Sequence, residues 1–452
     1  MKTFKTSPFA PAGAAFAALV LFAIPPALHA QSSFTGTGAN WSDAANWSAG
    51  VPNAPAASAL FDLSANPGLR GRAINLATSP VIGALTVNGA NAVDAAAALN
   101  IGTGAAQILA LNNSGSAAAI TLSGGLKLNI AASITSAGAL EITNNSGVLG
   151  AINLLGPVNA GANTITFHND TTTADITVSG ALTAGSIAKT GNGKLFLNST
   201  TAAAIAGDVN FDAGTLVIGG NNVLGTGVII VSAGPGEKTL NLAAGAAGYS
   251  LSNSIDLSGH NLAVGREDAA TATTLRTLAI APAAATTTGL GASRVITVGS
   301  LTGLEFGANQ SFSGGALVKQ GGGVLVLGGA ASTFSQLQVN AGSVVGNITG
   351  AASLGGASSI FGAGPVVVDG GNTSLEIRGA GASSILTLEA GADISLSNEA
   401  TFRLTGATLA LLSGTINLNN SGILDYAGNV ILGSTAILNA SATSLNFAGN
   451  VA

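Results

Sequence analysis

Side chains able to carry out acid–base chemistry are scarce in this chain, and the densest group of them surrounds His168. The segment Phe167–Asp170 places an imidazole beside an amide and a carboxylate, and Asp175 follows five residues later. Oxygen ligands of this kind can hold Ca²⁺, and the imidazole could serve as a general base. Polar residues at a β-turn more often bond to their own backbone, and the repeated Gly-Gly-x-Gly-x-Asp calcium pattern is absent. We therefore predict no catalytic residue, no metal site and no cofactor here.

A second candidate for chemistry is a set of charged residues next to predicted strands. Asp208 and Asp212 flank one strand. Arg266, Glu267 and Asp268 follow another. Stacked strands can bring such groups to one face, and two carboxyls about 5–9.5 Å apart can cleave a glycosidic bond. The 19 acidic residues are scattered over 452 positions, so we predict a non-enzymatic protein. The alternative is a carbohydrate-active parallel β-helix that binds or cleaves a polysaccharide.

The two tryptophans of the chain, Trp41 and Trp47, both lie in the amino-terminal segment 31–72. Their indole rings could stack on sugar rings. A stack of coils must also cover its first open coil, and two large aromatic residues serve that purpose. We therefore predict that residues 31–72 form an amino-terminal head that caps the stack.

Composition narrows both the fold and the partner classes. Charged residues make up 7 % of the chain, with 14 basic and 19 acidic residues, so the formal net charge is −5. This charge provides no basic surface for nucleic acid. A hydrophobic content of 47 % argues against disorder, and the 64 glycines argue against a helical bundle. The absence of Cys excludes a disulfide scaffold. A β-rich protein of small residues remains.

The first 30 residues have the pattern of a secretory signal peptide. Lys2 and Lys5 form a basic start, and Ala12–Ile24 is apolar and uncharged. Residues Ala27–Ala30 then provide a small-residue end suited to cleavage before Gln31. The apolar run is shorter than the roughly 20 residues that a membrane-spanning helix needs. We predict export, a mature chain with no transmembrane segment, and a secreted or cell-surface location, with the periplasm as the alternative.

From about residue 73 onward, short apolar runs alternate with turn residues. The runs are rich in Val, Ile, Leu and Thr, and include Ala84–Val87, Val228–Val231 and Val324–Leu327. Short strands at close, regular spacing indicate an all-β protein. We predict a right-handed parallel β-helix (a β-solenoid) over residues 73–452. At about 20–30 residues per coil, the roughly 420 residues of the mature chain would give roughly 14–21 coils stacked ~4.8 Å apart. An array of β-sandwiches is the alternative.

Two parts of the chain repeat three motifs in the same order, 130, 128 and 137 residues apart. The motifs are KTGNGKLFL at Lys189–Leu197 and KQGGGVLVL at Lys319–Leu327, VNFDAGTL at 209–216 and LQVNAGSV at 337–344, and Gly-x-Gly at 225–227 and 362–364. Self-similarity of this kind is typical of repeat architectures, in which each coil buries its apolar face against its neighbours.

These motifs carry a family resemblance. Residues 189–231 resemble the autotransporter-associated β-strand repeat, whose pattern runs Lys-x-Gly-x-Gly-x-Leu-x-Leu, then Ala-Gly-x-Leu, then Leu-Gly-x-Gly. Residues 319–368 resemble a degenerate copy, with Ser343 and Val344 in place of the usual Thr-Leu. The segment Trp41–Asn53 is similar to the tryptophan-rich head that often accompanies these repeats. The resemblance implies a passenger-like solenoid, structural or adhesive, at a bacterial cell surface or in the extracellular matrix.

The carboxy-terminal hundred residues depart from the family that the motifs resemble. An autotransporter would end in a translocator barrel of ten-residue strands with aromatic girdles. Here the short-strand pattern continues, with one Tyr and no Trp. We therefore expect a passenger-like chain without the translocator barrel. Either the sequence is incomplete, or the chain leaves the periplasm through another machine, or it stays in the periplasm. We expect cell-surface components or polysaccharide as partners, and the uncharged strand edges predict end-to-end self-association.

Overall fold

A computed structural model confirms that the protein is all-β and built from stacked coils. The structure describes residues 31–89, 98–146, 151–328, 331–348, 351–354, 359–379, 384–388, 393–405, 408–411, 415–419, 422–426, 430–432, 437–440 and 444–447. The predicted signal peptide, residues 1–30, lies outside the described residues, and its cleavage stays a prediction. The helices of the described chain are two single 3-10 turns, Ala44–Asn46 and Pro67–Leu69.

The strands form three series, which we call the first, second and third face in the order in which the chain visits them within one coil. Every pairing between the described strands is parallel, and each strand pairs with a strand of an adjacent coil, on both sides except at the ends of the sheets. The first face consists of Gln31–Ser33, Ser58–Asp62, Ala84–Asn88, Ala118–Ser123, Leu140–Asn144, Thr164–Asn169, Ser186–Thr190, Val209–Phe211, Val228–Val231, Ser254–Asp256, Thr286–Gly289, Gln310–Gly314, Thr333–Phe334, Ala351–Leu354, Ile385–Leu388, Thr408–Leu411 and Val430–Leu432.

The second and third faces complete each coil. The second face consists of Ala73–Ile74, Ala98–Ile101, Lys127–Ile130, Ile152–Leu154, Asp175–Val178, Lys194–Leu197, Gly214–Ile218, Lys238–Leu242, Leu262–Arg266, Arg294–Val298, Leu317–Gln320, Leu337–Val339, Val366–Asp369, Asp393–Ser397, Thr415–Leu418 and Ile437–Ala440. The third face consists of Val81–Ile82, Ile108–Leu111, Ser133–Ser136, Val158–Asn159, Leu182–Ala184, Ala204–Ile205, Gly248–Leu251, Arg276–Ile280, Thr302–Phe306, Val324–Leu327, Ser343–Ile348, Ser374–Gly379, Thr401–Thr405, Ile423–Tyr426 and Ser444–Phe447.

The second face is one continuous sheet of 16 strands, which agrees with the predicted number of coils. Its register gives the length of each coil. Val178 pairs with Leu197, so the shortest coil has 19 residues, and Val264 pairs with Val298, so the longest has 34. The longest coil exceeds the predicted range because it contains an inserted loop directly after Arg266. The handedness of the winding stays a prediction.

The core is a set of apolar columns that run through the stack. Along each strand, side chains alternate between the interior and the surface, as the period of a β-strand requires. One column of paired, buried residues runs along the second face through Ile74, Ile101, Ile130, Leu154, Val178, Leu197, Ile218 and Leu242. Along this column, each coil therefore completes the core of the coil before it.

The amino-terminal head contains an aromatic cluster. Trp41 and Trp47 pack together with ring centroids 4.8 Å apart, and both rings contact Phe61. The indole nitrogen of Trp41 donates to the carbonyl of Pro52, and that of Trp47 donates to the carbonyl of Trp41. Trp41 is 0 % exposed and Trp47 is 5 % exposed, so neither ring can stack on a sugar. That residues 31–72 cap the stack stays a prediction.

Candidate functional site

The repeated motifs lie at corners of the coil, where the chain turns from one face to the next. In the first copy, Lys189 lies near the end of a first-face strand, and Lys194–Leu197 is the following second-face strand. In the second copy, Lys319 lies in a second-face strand, and Val324–Leu327 is the following third-face strand. The same motif therefore turns two different corners. The structural role of the motif therefore belongs to the corner itself, because the faces on either side of the corner differ between the two copies.

The first lysine of the motif joins two coils. Lys189 is 0 % exposed, and its ammonium group donates to the carbonyl oxygens of Thr190 at 2.8 Å and Gly191 at 2.7 Å in its own turn. A third bond, of 3.1 Å, reaches the carbonyl of Ala213 in the next coil. Ala213 belongs to the Ala-Gly motif of the repeat, so these two motifs are the same corner in successive coils.

The degenerate copy forms the same arrangement. Lys319 is also 0 % exposed, and its ammonium group donates to the carbonyls of Gln320 at 2.9 Å and Gly321 at 2.6 Å. The third acceptor is again in the next coil, the carbonyl of Ala341 at 3.0 Å. We call Lys189 and Lys319, each with its three carbonyl acceptors, the corner clamps.

Burial changes the acidity of both clamp lysines. Removal from water disfavours the charged amine, and the pKa of each falls from 10.5 to about 8. Around Lys189, the carboxylates of Asp170 and Asp212 act in the opposite direction. The carbonyl oxygens provide the hydrogen bonds that a buried ammonium group requires.

Another buried side chain has a similar role one coil before the first clamp. Asn169 is 0 % exposed, and its amide nitrogen donates to the carbonyl of Ala174 at 2.8 Å and to that of Lys194 at 3.0 Å. Lys194 belongs to the next coil, so Asn169 also links successive coils at the corner between the first and second faces. It belongs to the polar group around His168 that the sequence singled out, and its amide is used inside the stack.

The imidazole of His168 connects a hydroxyl and a carboxylate on the surface of the first face. Its Nδ1 lies 2.8 Å from Oγ1 of Thr190 in the next coil, and its Nε2 lies 2.9 Å from Oδ2 of Asp170. The Asp170 side chain is 64 % exposed. Asp175 does not join this group, because it begins the following second-face strand. The polar cluster expected around His168 is thus divided between two faces.

The inserted loop of the longest coil is held by two arginines and one aspartate. The guanidinium group of Arg266 donates to Asp268 Oδ1 at 2.7 Å and Oδ2 at 3.2 Å. Arg276 donates to the same two oxygens at 2.8 and 3.1 Å. Both arginines are 6 % exposed. Their hydrogen bonds hold the pKa of Asp268 well below its usual range, and the pair of bridges closes the loop.

Glu267 points away from this pair and joins a charged group on the outer side of the second face. Its carboxylate accepts from Lys194 at 2.5 Å and from the amide of Asn241 at 2.6 Å. Lys194 pairs in register with Asp175. Burial raises the pKa of Asp175, an effect that Lys194 opposes and Glu267 reinforces. Asp175 and Glu267 therefore both interact with the ammonium group of Lys194 on this face, and glycosidic cleavage also uses a pair of carboxyl groups.

The remaining carboxylates of the sequence prediction lie apart. Asp208 accepts from the backbone amide of Val228 at 3.1 Å, which joins two coils. The carboxylate of Asp212 favours the charged form of the buried amines of Lys189 and Lys238, and so opposes the fall in their pKa that burial causes. Among the described residues, no group of three or more His, Asp or Glu side chains is placed to hold a metal ion. In the same part of the chain, no helix has the length and apolar character to cross a membrane.

Comparisons of the chain with protein families, with curated proteins and with solved structures find no match. The resemblance of residues 189–231 to the autotransporter-associated repeat therefore rests on the motifs and stays a prediction. The corner clamps supply a physical reason for the pattern. A lysine followed by glycines at one corner, with Ala-Gly at the same corner in the next coil, positions a buried donor against three carbonyls.

Proposed function

We propose that the mature chain is an exported, non-enzymatic β-solenoid that acts as a structural or adhesive protein of the bacterial cell surface or extracellular matrix. The observation that carries this proposal is where the charged side chains are used. Lys189, Lys319, Arg266 and Arg276 are at most 6 % exposed and bond to backbone carbonyls or to a bridging aspartate. These groups hold neighbouring coils together, which is what a rod under mechanical stress requires. The signal pattern of residues 1–30 supports export.

Protease shaving of intact cells that produce the protein tests the location. Peptides from residues 31–452 should be released into the medium and identified by mass spectrometry, while a periplasmic marker protein stays intact. Release of these peptides only after the outer membrane is permeabilised would contradict a surface location and place the protein in the periplasm. Detection of the chain only in the cytoplasm, with residues 1–30 attached, would overturn export itself.

Polysaccharide cleavage is the second candidate, and the pair Asp175 and Glu267 beside Lys194 is the observation that favours it. The test is incubation of the full chain with a panel of polysaccharides, followed by assays for new reducing ends and for unsaturated products. The non-enzymatic proposal expects neither. Products that Asp175→Asn and Glu267→Gln abolish, and that the control Asp208→Asn leaves unchanged, would overturn the proposal in favour of a carbohydrate-active enzyme.

A further inference from the structure

We propose that the outer side of the second face carries a groove that binds a neutral polysaccharide chain lying along the axis of the stack. Two clefts form this groove. One is about 210 Å³ in volume and includes Thr215 and Thr239 in its lining. The other is about 480 Å³ and includes His260, Ala263 and Thr297. Glu237 lines both clefts, so they adjoin along the sheet.

The floor of the groove is one row of the sheet register. Thr215 pairs with Thr239, Thr239 with Ala263, Ala263 with Thr297, and Thr297 with Gln320. Each of these side chains points outward from its strand, next to a buried residue. Five successive coils at ~4.8 Å spacing give a straight floor of roughly 20 Å. A ligand that follows it must be an extended chain rather than a compact molecule.

Charge decides which class of chain fits. The ionisable groups of the lining are Glu237, Lys238 and His260. Lys238 is 1 % exposed, and its amine is already committed to the carbonyls of Gly234 and Gly236. The lining thus offers one free carboxylate and no free lysine, which disfavours an anionic polysaccharide or nucleic acid. A neutral chain meets no electrostatic penalty.

The polar groups of the groove match a polyhydroxylated ligand. Threonine hydroxyls and the Gln320 amide both donate and accept hydrogen bonds, as sugar hydroxyls do. His260 is half-buried, with Nδ1 3.1 Å from the carbonyl of Asn261, and its ring can cover the apolar side of a sugar ring. A peptide that adds as a strand would need a free sheet edge. The floor strands have none, because each is paired on both sides.

This inference gives the adhesive role proposed above a ligand class and a binding face, and it rests on that role. The test is affinity electrophoresis of the full chain through native gels that contain a soluble neutral polysaccharide. The probes are a β-glucan, a galactomannan and dextran, with polygalacturonate as the anionic comparison. We expect at least one neutral polysaccharide to retard the protein, and polygalacturonate to leave its migration unchanged.

Two lysine substitutions locate the binding face. Ala263→Lys places a long charged side chain at the middle of the floor, and should weaken retardation at least tenfold. Ala188→Lys is the matched control, because Ala188 is also an outward alanine in the middle of a strand, on the first face. The Ala188→Lys variant should be retarded as strongly as the wild type. Thermal melts establish that both variants fold. His260→Ala, expected to weaken retardation several-fold, provides a second test that does not alter a strand.

Three results would overturn the proposal that this groove binds a neutral polysaccharide. They are the absence of retardation by every neutral polysaccharide, retardation by polygalacturonate alone, and equal weakening by Ala188→Lys and Ala263→Lys. If Ala263→Lys does not fold, wild-type retardation in the His260→Ala variant would also overturn it. None of these results bears on protease shaving, so a failure of the groove can be told apart from a failure of the surface location.

Discussion

The corner clamps place a full positive charge inside the stack at two positions. Burial alone would make such an amine unfavourable, and the lowered pKa of Lys189 and Lys319 expresses that cost. The three carbonyl acceptors of each amine offset it, because hydrogen bonds that involve a charged donor contribute roughly 1.5–3 kcal/mol each. Lysine suits the position because its long side chain can bond its own turn and also reach the next coil.

Lys189→Met and Lys319→Met test which of these two effects is larger. Methionine has a similar volume but no donor, so three buried carbonyls lose a bond, at roughly 1–3 kcal/mol for each one left unpaired. Removing the buried charge acts in the opposite direction. It stabilises the folded state by about 3 kcal/mol, the free energy that corresponds to a pKa lowered from 10.5 to about 8. The difference between these two contributions leads us to expect that each variant is destabilised, by up to roughly 6 kcal/mol, measured as a lower thermal midpoint at pH 7.

The exposed Lys127 provides the control for these substitutions. Lys127→Met should leave the thermal midpoint within about a degree of the wild type, since surface substitutions are usually within about ±0.5 kcal/mol. A midpoint of Lys189→Met at or above that of the wild type would show that the cost of burying the charge exceeds the value of its bonds.

The same lysines predict how stability depends on pH. Between pH 8 and 10.5 the unfolded chain binds more protons than the folded chain, because burial lowers the pKa of each clamp lysine to about 8. The free energy of unfolding should therefore rise with pH in this window, by up to roughly 1.4 kcal/mol per pH unit for each lysine. Thermal midpoints at about pH 7.5 and about pH 9.5 measure the rise. The double variant Lys189→Met, Lys319→Met should rise less, and an equal rise in both proteins would refute the assignment.

At the scale of the strands and turns, glycine decides where a corner can close. Gly214 follows Ala213 and has φ +79°, and an added Cβ would lie 2.5 Å from the carbonyl oxygen of Gly191 and 2.6 Å from that of Gly193. Gly342 occupies the same place in the second copy, at φ +69°, where an added Cβ would meet the carbonyl oxygens of Gly323 and Gly321 equally closely. The glycines of the Ala-Gly motif are therefore required by both conformation and space.

Gly214→Ala and Gly161→Ala separate these two requirements. Gly161 also has a positive φ, of +57°, but no atom of the described residues lies within 4 Å of the position that its Cβ would take. Gly161→Ala should lower the free energy of unfolding only by what the left-handed conformation costs an alanine, roughly 1–2 kcal/mol. Gly214→Ala must in addition push two backbone carbonyls away, so its thermal midpoint should fall clearly further. Equal midpoints for the two variants would mean that the corner can relax, and that close packing is not what selects glycine there.

The positions of many strands could be predicted from the sequence, whereas contacts between side chains of different coils could not. The runs predicted at Ala84–Val87, Val228–Val231 and Val324–Leu327 are strands, the first extended to Asn88, because alternation and turn residues are local signals. The ion pair of Lys194 and Glu267 was not predictable, since its members are 73 residues apart and meet only through the coil lengths between them. The lysine of the repeat was recognised from the motif. Its third acceptor lies in the next coil, and the sequence alone does not give the register in which successive coils align.

At the scale of the whole molecule, the stack is a one-dimensional array. Each described strand pairs with strands of adjacent coils, so a change at one position acts first on the neighbouring coils. Both tryptophans of the chain lie in the head, and both are buried. Their fluorescence therefore reports the unfolding of the first coils, whereas far-ultraviolet circular dichroism reports all the strands. The two signals sample different lengths of the same rod.

Unfolding followed by both signals tests whether the coils act as separate neighbours or as one cooperative unit. Lys319 lies in the eleventh of the 16 second-face strands, far from the head. If coupling decays along the stack, Lys319→Met should lower the thermal midpoint seen by circular dichroism and leave the tryptophan transition close to that of the wild type. Phe61→Leu, which opens the aromatic cluster against both indoles, should have the reverse effect on the two signals. Equal shifts of both signals in both variants would contradict the one-dimensional description, and would show that the rod unfolds as a single unit.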